Sequence, residues 1–208
     1  MAESYTVPDL KPGQTYRVEQ IIHRSRFITT IARVRNPQEA KAFIDSVRAE
    51  HAQATHHCWA FQASEPGSTA QVGASDDGEP KGTAGRPMLT VLLHCGVGEI
   101  AAVVTRYFGG ILLGTGGLVR AYQGSVKLAL ETLPVTVKVP STSIEVTLEH
   151  RFGNQALRLF DDYRCIIANK DFGMDAVFQL EVPDTQLQAL TDALTEMSSG
   201  GVLIETLP

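Results

Sequence analysis

Apolar residues along the chain alternate between a two-residue and a helical spacing, and the changes of spacing mark out its elements. Residues 16–20 and 26–33 read as short strands around a turn, with Phe27, Ile28 and Ile31 as apolar contacts. A helix follows. Asn36 is placed to cap it, Pro37 takes the first helical position and Glu39 completes a capping-box pattern. Ala40, Phe43, Ile44 and Val47 then fall at i, i+3, i+4 and i+7, which makes one buried stripe. Residues 57–63 alternate as a strand, with Trp59 and Phe61 on opposite parity to Cys58 and Ala60. Residues 64–83 read as one polar, glycine-rich loop, and residues 85–95 as a helix with Met88, Val91 and Leu92 facing inward. The run over 100–107 is almost continuously apolar, as expected of a strand buried on both faces. A second glycine-rich loop then leads into a helix over 118–133 carrying Val119, Tyr122, Val126 and Leu130.

Residues 134–143, PVTVKVPSTS, are extended and flanked by prolines. They read as the boundary between a domain over 1–134 and a second over 140–208. In the second, Ile144, Val146 and Leu148 alternate with Glu145, Thr147 and Glu149 as a strand. A short helix around Ala156, Leu157 and Phe160 comes next, then strands over 165–168 and 177–182. Asp184 is placed to cap a helix carrying Leu187, Leu190, Leu194 and Met197, and residues 202–204 close the series. The resulting β-α-β-β-α-β order is the ferredoxin-like arrangement, within a fold that is α+β as a whole.

Charge divides the two parts. Up to Pro134 there are 13 Lys and Arg against 12 Asp and Glu; from Val135 onward there are 5 against 11. The first part is therefore near neutral with local basic points, and the second is acidic. Neither has the basic balance of an autonomous nucleic-acid binder, so any such contact must come from a local patch. The three cysteines, Cys58, Cys95 and Cys165, are widely spaced, which argues against a disulfide framework or a structural zinc site and for a reducing cytoplasm. Residues 1–13 lack the basic start and apolar run of a secretory leader, and no apolar stretch has the length of a membrane span.

The candidate chemistry sits in two glycine-rich, charge-bearing stretches, SDDGEPKGTAGRP at 75–87 and RYFGGILLGTGGLVRAY at 106–122. Glycines on this scale cost conformational entropy, which a chain accepts where its backbone turns sharply or approaches something closely. The turn at Gly114, Thr115, Gly116 and Gly117 precedes a helix, a combination suited to phosphate; tight packing of helix on sheet would explain it equally. It is neither a Walker A motif nor the dinucleotide fingerprint. Asp76, Asp77 and Glu79 could hold a cation but miss the EF-hand spacing, and no metal is expected. His57 is read as bonding a carboxylate in a wet core. Arg106 and Tyr107 suit phosphate or base stacking, or else Arg106 pins the acidic loop through an Arg–Asp bridge. With Thr83 and Lys81 these residues could make an acid–base set, but no nucleophile motif accompanies them.

Together, HRSRFITTIARV (23–34), HHCWAF (56–61), SDDGEPKGTAGRPML (75–89) and VVTRYFGGILLGTGGLVRAY (103–122) closely resemble the bacterial IMPACT family. The resemblance covers nearly the whole chain. It implies an N-terminal domain with the fold of ribosomal protein S5 domain 2 and a ferredoxin-like C-terminal domain. That pair is similar to domains IV and V of elongation factor G. The roles it implies are translational regulation and nucleic-acid or ribosome binding.

The expectation is therefore a cytoplasmic protein that binds RNA or the ribosome through both glycine loops. Lys81, Arg106 and Arg120 would meet phosphates, with Tyr107, Gly110, Gly114, Gly116 and Gly117 beside them. His57, Asp76, Asp77, Glu79 and Thr83 would support the site, and no cofactor is expected. An enzyme acting on a small phosphorylated metabolite or nucleotide is the alternative.

Overall fold

A computed structural model describes residues 4–207; residues 1–3, the start of the stretch considered for a leader, and residue 208 lie outside it. The chain divides into two units. One is Tyr5–Lys138, and the other takes in Ser4 and the chain from Val139 onward.

The N-terminal unit is built on a five-stranded antiparallel sheet. Its strands are β2 (Tyr16–Ile22), β3 (Ser25–Arg33), β4 (His56–Gln62), β5 (Val72–Ser75) and β6 (Ile100–Tyr107), in the order β2-β3-β6-β4-β5. Helix α1 (Pro37–Glu50) covers one face, where Ala40, Phe43, Ile44 and Val47 pack on Phe61, Ala101 and Val103. Helices α2 (Gly85–His94) and α3 (Gly114–Thr132) cover the other, burying Met88, Leu92, Tyr122 and Val126 against Phe27, Cys58, Ala102 and Val104. Strand β6 is central and buried on both faces, which is why its sequence shows no alternation.

The start of α1 forms as its sequence requires. The Asn36 side chain accepts from Glu39 N at 2.8 Å, while the Glu39 carboxylate reaches back to Arg35 N at 2.9 Å. The reciprocal bond thus lands one residue earlier than in the standard capping box.

Three strands go beyond the elements that the hydrophobic pattern predicts. Strand β5 lies inside the stretch 64–83, whose composition reads as loop, and pairs with β4 from Trp59↔Ser75 to Gln62↔Val72. Part of the expected boundary forms β7 (Val135–Lys138), which pairs with β1 (Tyr5–Pro8). Glu99 anchors that ribbon to the sheet. It is 3 % exposed and accepts from Tyr5 Oη, from the Arg33 guanidinium at 2.8 Å and from Lys138 Nζ. Burial pushes its pKa up from the ordinary 4.5, but the bonds from Lys138, Arg33 and Tyr5 outweigh that and hold it below. A depressed carboxylate contributes stability that is complete above its unfolded pKa and lost as pH falls through the folded value. Urea midpoints should therefore drop from neutral pH to about pH 3, and more steeply in the wild type than in Glu99→Gln. Equal slopes would show that Glu99 does not carry this linkage.

The second unit contains β8 (Ser141–Glu149), α4 (Gly153–Asp162), β9 (Ile166–Phe172), β10 (Asp175–Pro183), α5 (Leu187–Met197) and β11 (Leu203–Thr206). Its sheet runs β11-β8-β10-β9, all antiparallel, which is the ferredoxin-like arrangement. Ile144, Val146, Leu148, Phe178 and Leu180 face α4 and α5, packing on Ala156, Phe160, Leu190 and Leu194. On the opposite parity stand Glu145, Glu149, Asp171, Asp175, Glu181 and Glu205, none of them buried. Asp184 does not cap α5. That helix begins at Leu187 without a side-chain cap, and Asp184 instead accepts from Thr142 Oγ1 at 2.8 Å. Among the described residues, no helix is long and apolar enough to cross a membrane.

Candidate functional site

Both glycine stretches meet at one end of the N-terminal sheet, where β6 finishes and helices α2 and α3 begin. They line a cleft of about 440 Å³. Its walls include Gly78, Glu79 and Pro80 from the first stretch and Arg106, Phe108, Leu112, Leu113, Gly114, Thr115 and Leu118 from the second, with Thr55 and His56 at the start of β4.

Asp76 holds the start of α2. Its carboxylate accepts from the backbone N–H groups of Gly82 (2.7 Å), Ala84 (3.0 Å) and Gly85 (2.8 Å). Burial raises its pKa, and the three N–H donors more than reverse that, so the group stays ionised at a helix N-terminus. Asp77 is the pivot of the turn, with φ +43°. Its carboxylate accepts from Arg48 at 2.6 Å and from His57 N at 2.7 Å. Glu79 is 8 % exposed and accepts from Arg106 at 2.6 Å and from Tyr122 Oη at 2.8 Å. Thr83 Oγ1 donates to the Pro80 carbonyl at 2.7 Å, closing the loop. All three carboxylates are thus committed to protein donors. Among the described residues, no group of three or more His, Cys, Asp or Glu is placed to hold a metal ion.

Arg106 differs from the exposed, phosphate-facing cation expected of it. It is 5 % exposed, bound to Glu79 and to Ser25 Oγ at 3.3 Å, and it lies over the rings of Phe27 and Phe108. The alternative bridge to the acidic loop forms, but with Glu79 as its partner and not an aspartate, since Asp76 and Asp77 are bonded elsewhere. Its Nε is buried and has no hydrogen-bond partner. His57 differs in part: its Nε2–H donates to the His51 carbonyl at 3.1 Å, its backbone N–H bonds the Asp77 carboxylate, and its Nδ1 stands 3.7 Å from that same carboxylate. Tyr107 hydrogen-bonds His51 Nδ1 at 3.0 Å and packs under Arg26, away from the cleft lining.

The turn Gly114–Gly117 is not a loop before a helix but the first turn of α3, which is 19 residues long. No side chain caps it. Thus one of the two helix N-termini here is occupied by Asp76, while the other is open. Arg120, one turn on, is exposed, with its guanidinium within 3.6 Å of the space beside Gly116. Lys81 is exposed on the first glycine stretch and has no ion pair among the described residues. Gly110 and Gly114 have φ of +84° and +67°, so the loop between them needs glycine at both ends.

Several participants carry no signal in the two glycine stretches themselves. Ser25 Oγ accepts from Gly109 N at 3.2 Å, and Thr55 Oγ1 accepts from Phe108 N at 3.1 Å, fixing the second loop to β3 and β4. The spacing of α3 marks Tyr122 only as core. Burial, Cys58 and Glu79 all raise its pKa, so its hydroxyl remains a donor beneath the cleft. Phe108 and Leu112, 46 % and 87 % exposed, are large apolar residues among glycines, a signal that the sequence does contain. Cys58 is no nucleophile: burial pushes its thiol up to about 12, and it donates to the Asp76 carbonyl.

Residues 23–130 match the Impact N-terminal domain, and residues 157–200 match a domain of unknown function, DUF1949. An IMPACT family member of Haemophilus influenzae is 40% identical over 198 residues, covering 95% of this chain and 96% of that protein. The IMPACT family member YigZ of Escherichia coli is 43% identical over 193 residues, covering 93% and 95%. A crystal structure of a hypothetical protein aligns with a TM-score of 0.72 at 40% identity, covering 100% of this chain and 99% of that one.

Proposed function

The chain belongs to the IMPACT family, and from that premise we propose that its N-terminal cleft holds the phosphate backbone of RNA on the ribosome. The observation that carries this is the uncapped N-terminus of α3, opening onto a cleft that both glycine stretches build. Unpaired N–H groups and the helix dipole together favour an anion, and glycines let a phosphate approach the backbone. Lys81 and Arg120 stand exposed, one on each glycine stretch. Arg106 supports the cleft from beneath: paired with Glu79, it contributes little net charge to the surface.

The groups on the cleft floor are engaged with one another, which favours binding over turnover. The open sheet face of the second unit, with Glu145, Glu149, Asp171, Asp175, Glu181 and Glu205, is repelled by RNA and suits a basic ribosomal protein. The protein acts in the cytoplasm on this reading, as a regulator of translation.

Single-stranded RNA affinity measured across a salt series tests the interaction. For each phosphate that a removed cation had neutralised, the slope of log K against log salt should fall by about 0.7. Lys81→Ala with Arg120→Ala should therefore flatten it by about 1.4. An unchanged slope removes both side chains from the interface.

A further inference from the structure

The cleft offers more than a phosphate requires. A phosphate needs donors and positive charge, whereas this cleft also has apolar walls in Pro80, Phe108, Leu112, Leu113 and Leu118. Its volume, about 440 Å³, lies in the range of small-molecule sites. Leu112 is 87 % and Phe108 46 % exposed, so large apolar surface stands at the rim with nothing of this unit over it. One polar atom completes the lining. His56 has Nδ1 2.8 Å from the Asp77 carbonyl. That carbonyl can only accept, so Nδ1 carries the proton and Nε2 is left as an acceptor.

We propose that the cleft takes one whole nucleotide, its phosphate at the first turn of α3 and its base turned out of the strand against Phe108. This rests on the phosphate reading above and adds the base. A nucleobase is the flat, largely apolar group with donors and acceptors on its edge that such walls and such an atom fit. Phe108 supplies the stacking face, with the Arg106 guanidinium 5.4 Å from its ring centroid on the inner side. Leu113 and Leu118 close the sides, and His56 Nε2 meets the base edge. The nucleotide is either one unit of an RNA strand or a free nucleoside monophosphate.

Equilibrium binding by fluorescence anisotropy separates these cases, using three probes. They are a short single-stranded oligoribonucleotide, a strand of equal length with abasic riboses, and the four free nucleoside monophosphates as competitors. The intact strand should bind about tenfold tighter than the abasic strand. Phe108→Ala should bring the intact strand down to the abasic affinity and leave the abasic affinity unchanged. Phe108→Leu, which keeps the apolar bulk and removes only the stacking ring, gives the same comparison if Phe108→Ala fails to fold. Equal affinity for both strands overturns the base pocket while leaving the phosphate contact in place. Binding of free monophosphates with neither strand retained upholds the pocket and removes the RNA reading. Absence of binding by all three probes overturns both.

Discussion

Glu79→Ala is expected to cost the N-terminal unit about 3–5 kcal/mol, because it leaves a buried guanidinium without its counter-charge. Glu79 and Arg106 are both more than nine-tenths buried, and Tyr122 would lose its acceptor in the same step. The desolvation cost of Arg106 is then offset only by Ser25 and by the rings of Phe27 and Phe108. Removing both charges has a different sign. A buried ion pair replaced by apolar residues of similar volume is often neutral in stability, so Glu79→Leu with Arg106→Met should recover most of the loss. Urea denaturation of the two single variants and the double variant measures the coupling directly. A Glu79→Ala loss below about 1 kcal/mol, the size of an exposed pair, would mean that water reaches Arg106.

Gly109→Ala is expected to cost about 3 kcal/mol, at the upper end of overpacking effects. A Cβ there would land inside contact distance of the Arg24 carbonyl, a backbone group that no rotamer change moves aside. Arg24 belongs to the tight turn between β2 and β3, where His23 and Arg24 both have positive φ, at 46° and 64°. The hairpin tip therefore rests directly on the second glycine loop, and Ser25 bonds both Gly109 N and Arg106. Relief of the clash has to move the loop that carries Phe108 and Leu112. Gly110→Ala makes the control. It has open space around it and φ +84°, so it should cost only about 1 kcal/mol of left-handed strain. Thermal melts of the two variants should differ clearly; equal melting temperatures would show that the loop yields freely at Gly109.

Elements whose cause is local are legible in the chain. The Asn36-Pro37-Glu39 start of α1 and the unbroken apolar run of β6 rest on short-range chemistry, and both stand where the sequence places them. The ferredoxin-like order of the C-terminal unit is legible for the same reason: alternation and helical stripes follow one another cleanly. Elements that exist only through distant pairing are not. Strand β5 is four residues with a glycine inside and is held by β4; β7 is held by β1, from the far end of the unit. The first turn of α3 reads as loop because glycine is a poor helix former, and its helical state is set by the packing of the residues after it.

The site divides along the same line. The two glycine stretches announce its position, and the structure brings them to one cleft. Which carboxylate meets which cation is hidden in the sequence, because Arg106 and Glu79 are 27 residues apart and Tyr122 and Glu79 are 43 apart. Three acidic residues in a row of four take three different partners: helix N–H groups for Asp76, Arg48 and His57 N for Asp77, Arg106 and Tyr122 for Glu79. Nothing in their residue types distinguishes those roles; only the direction of the turn at Asp77 and Gly78 does.

The most direct measurement is co-sedimentation of the full chain with purified ribosomes, at low and at near-physiological salt. Saturable pelleting that weakens as salt rises is expected, with Lys81→Ala and Arg120→Ala together less retained and less salt-sensitive than the wild type. Absence of pelleting at low salt, where screening is weakest and phosphate contacts are strongest, would contradict ribosome binding.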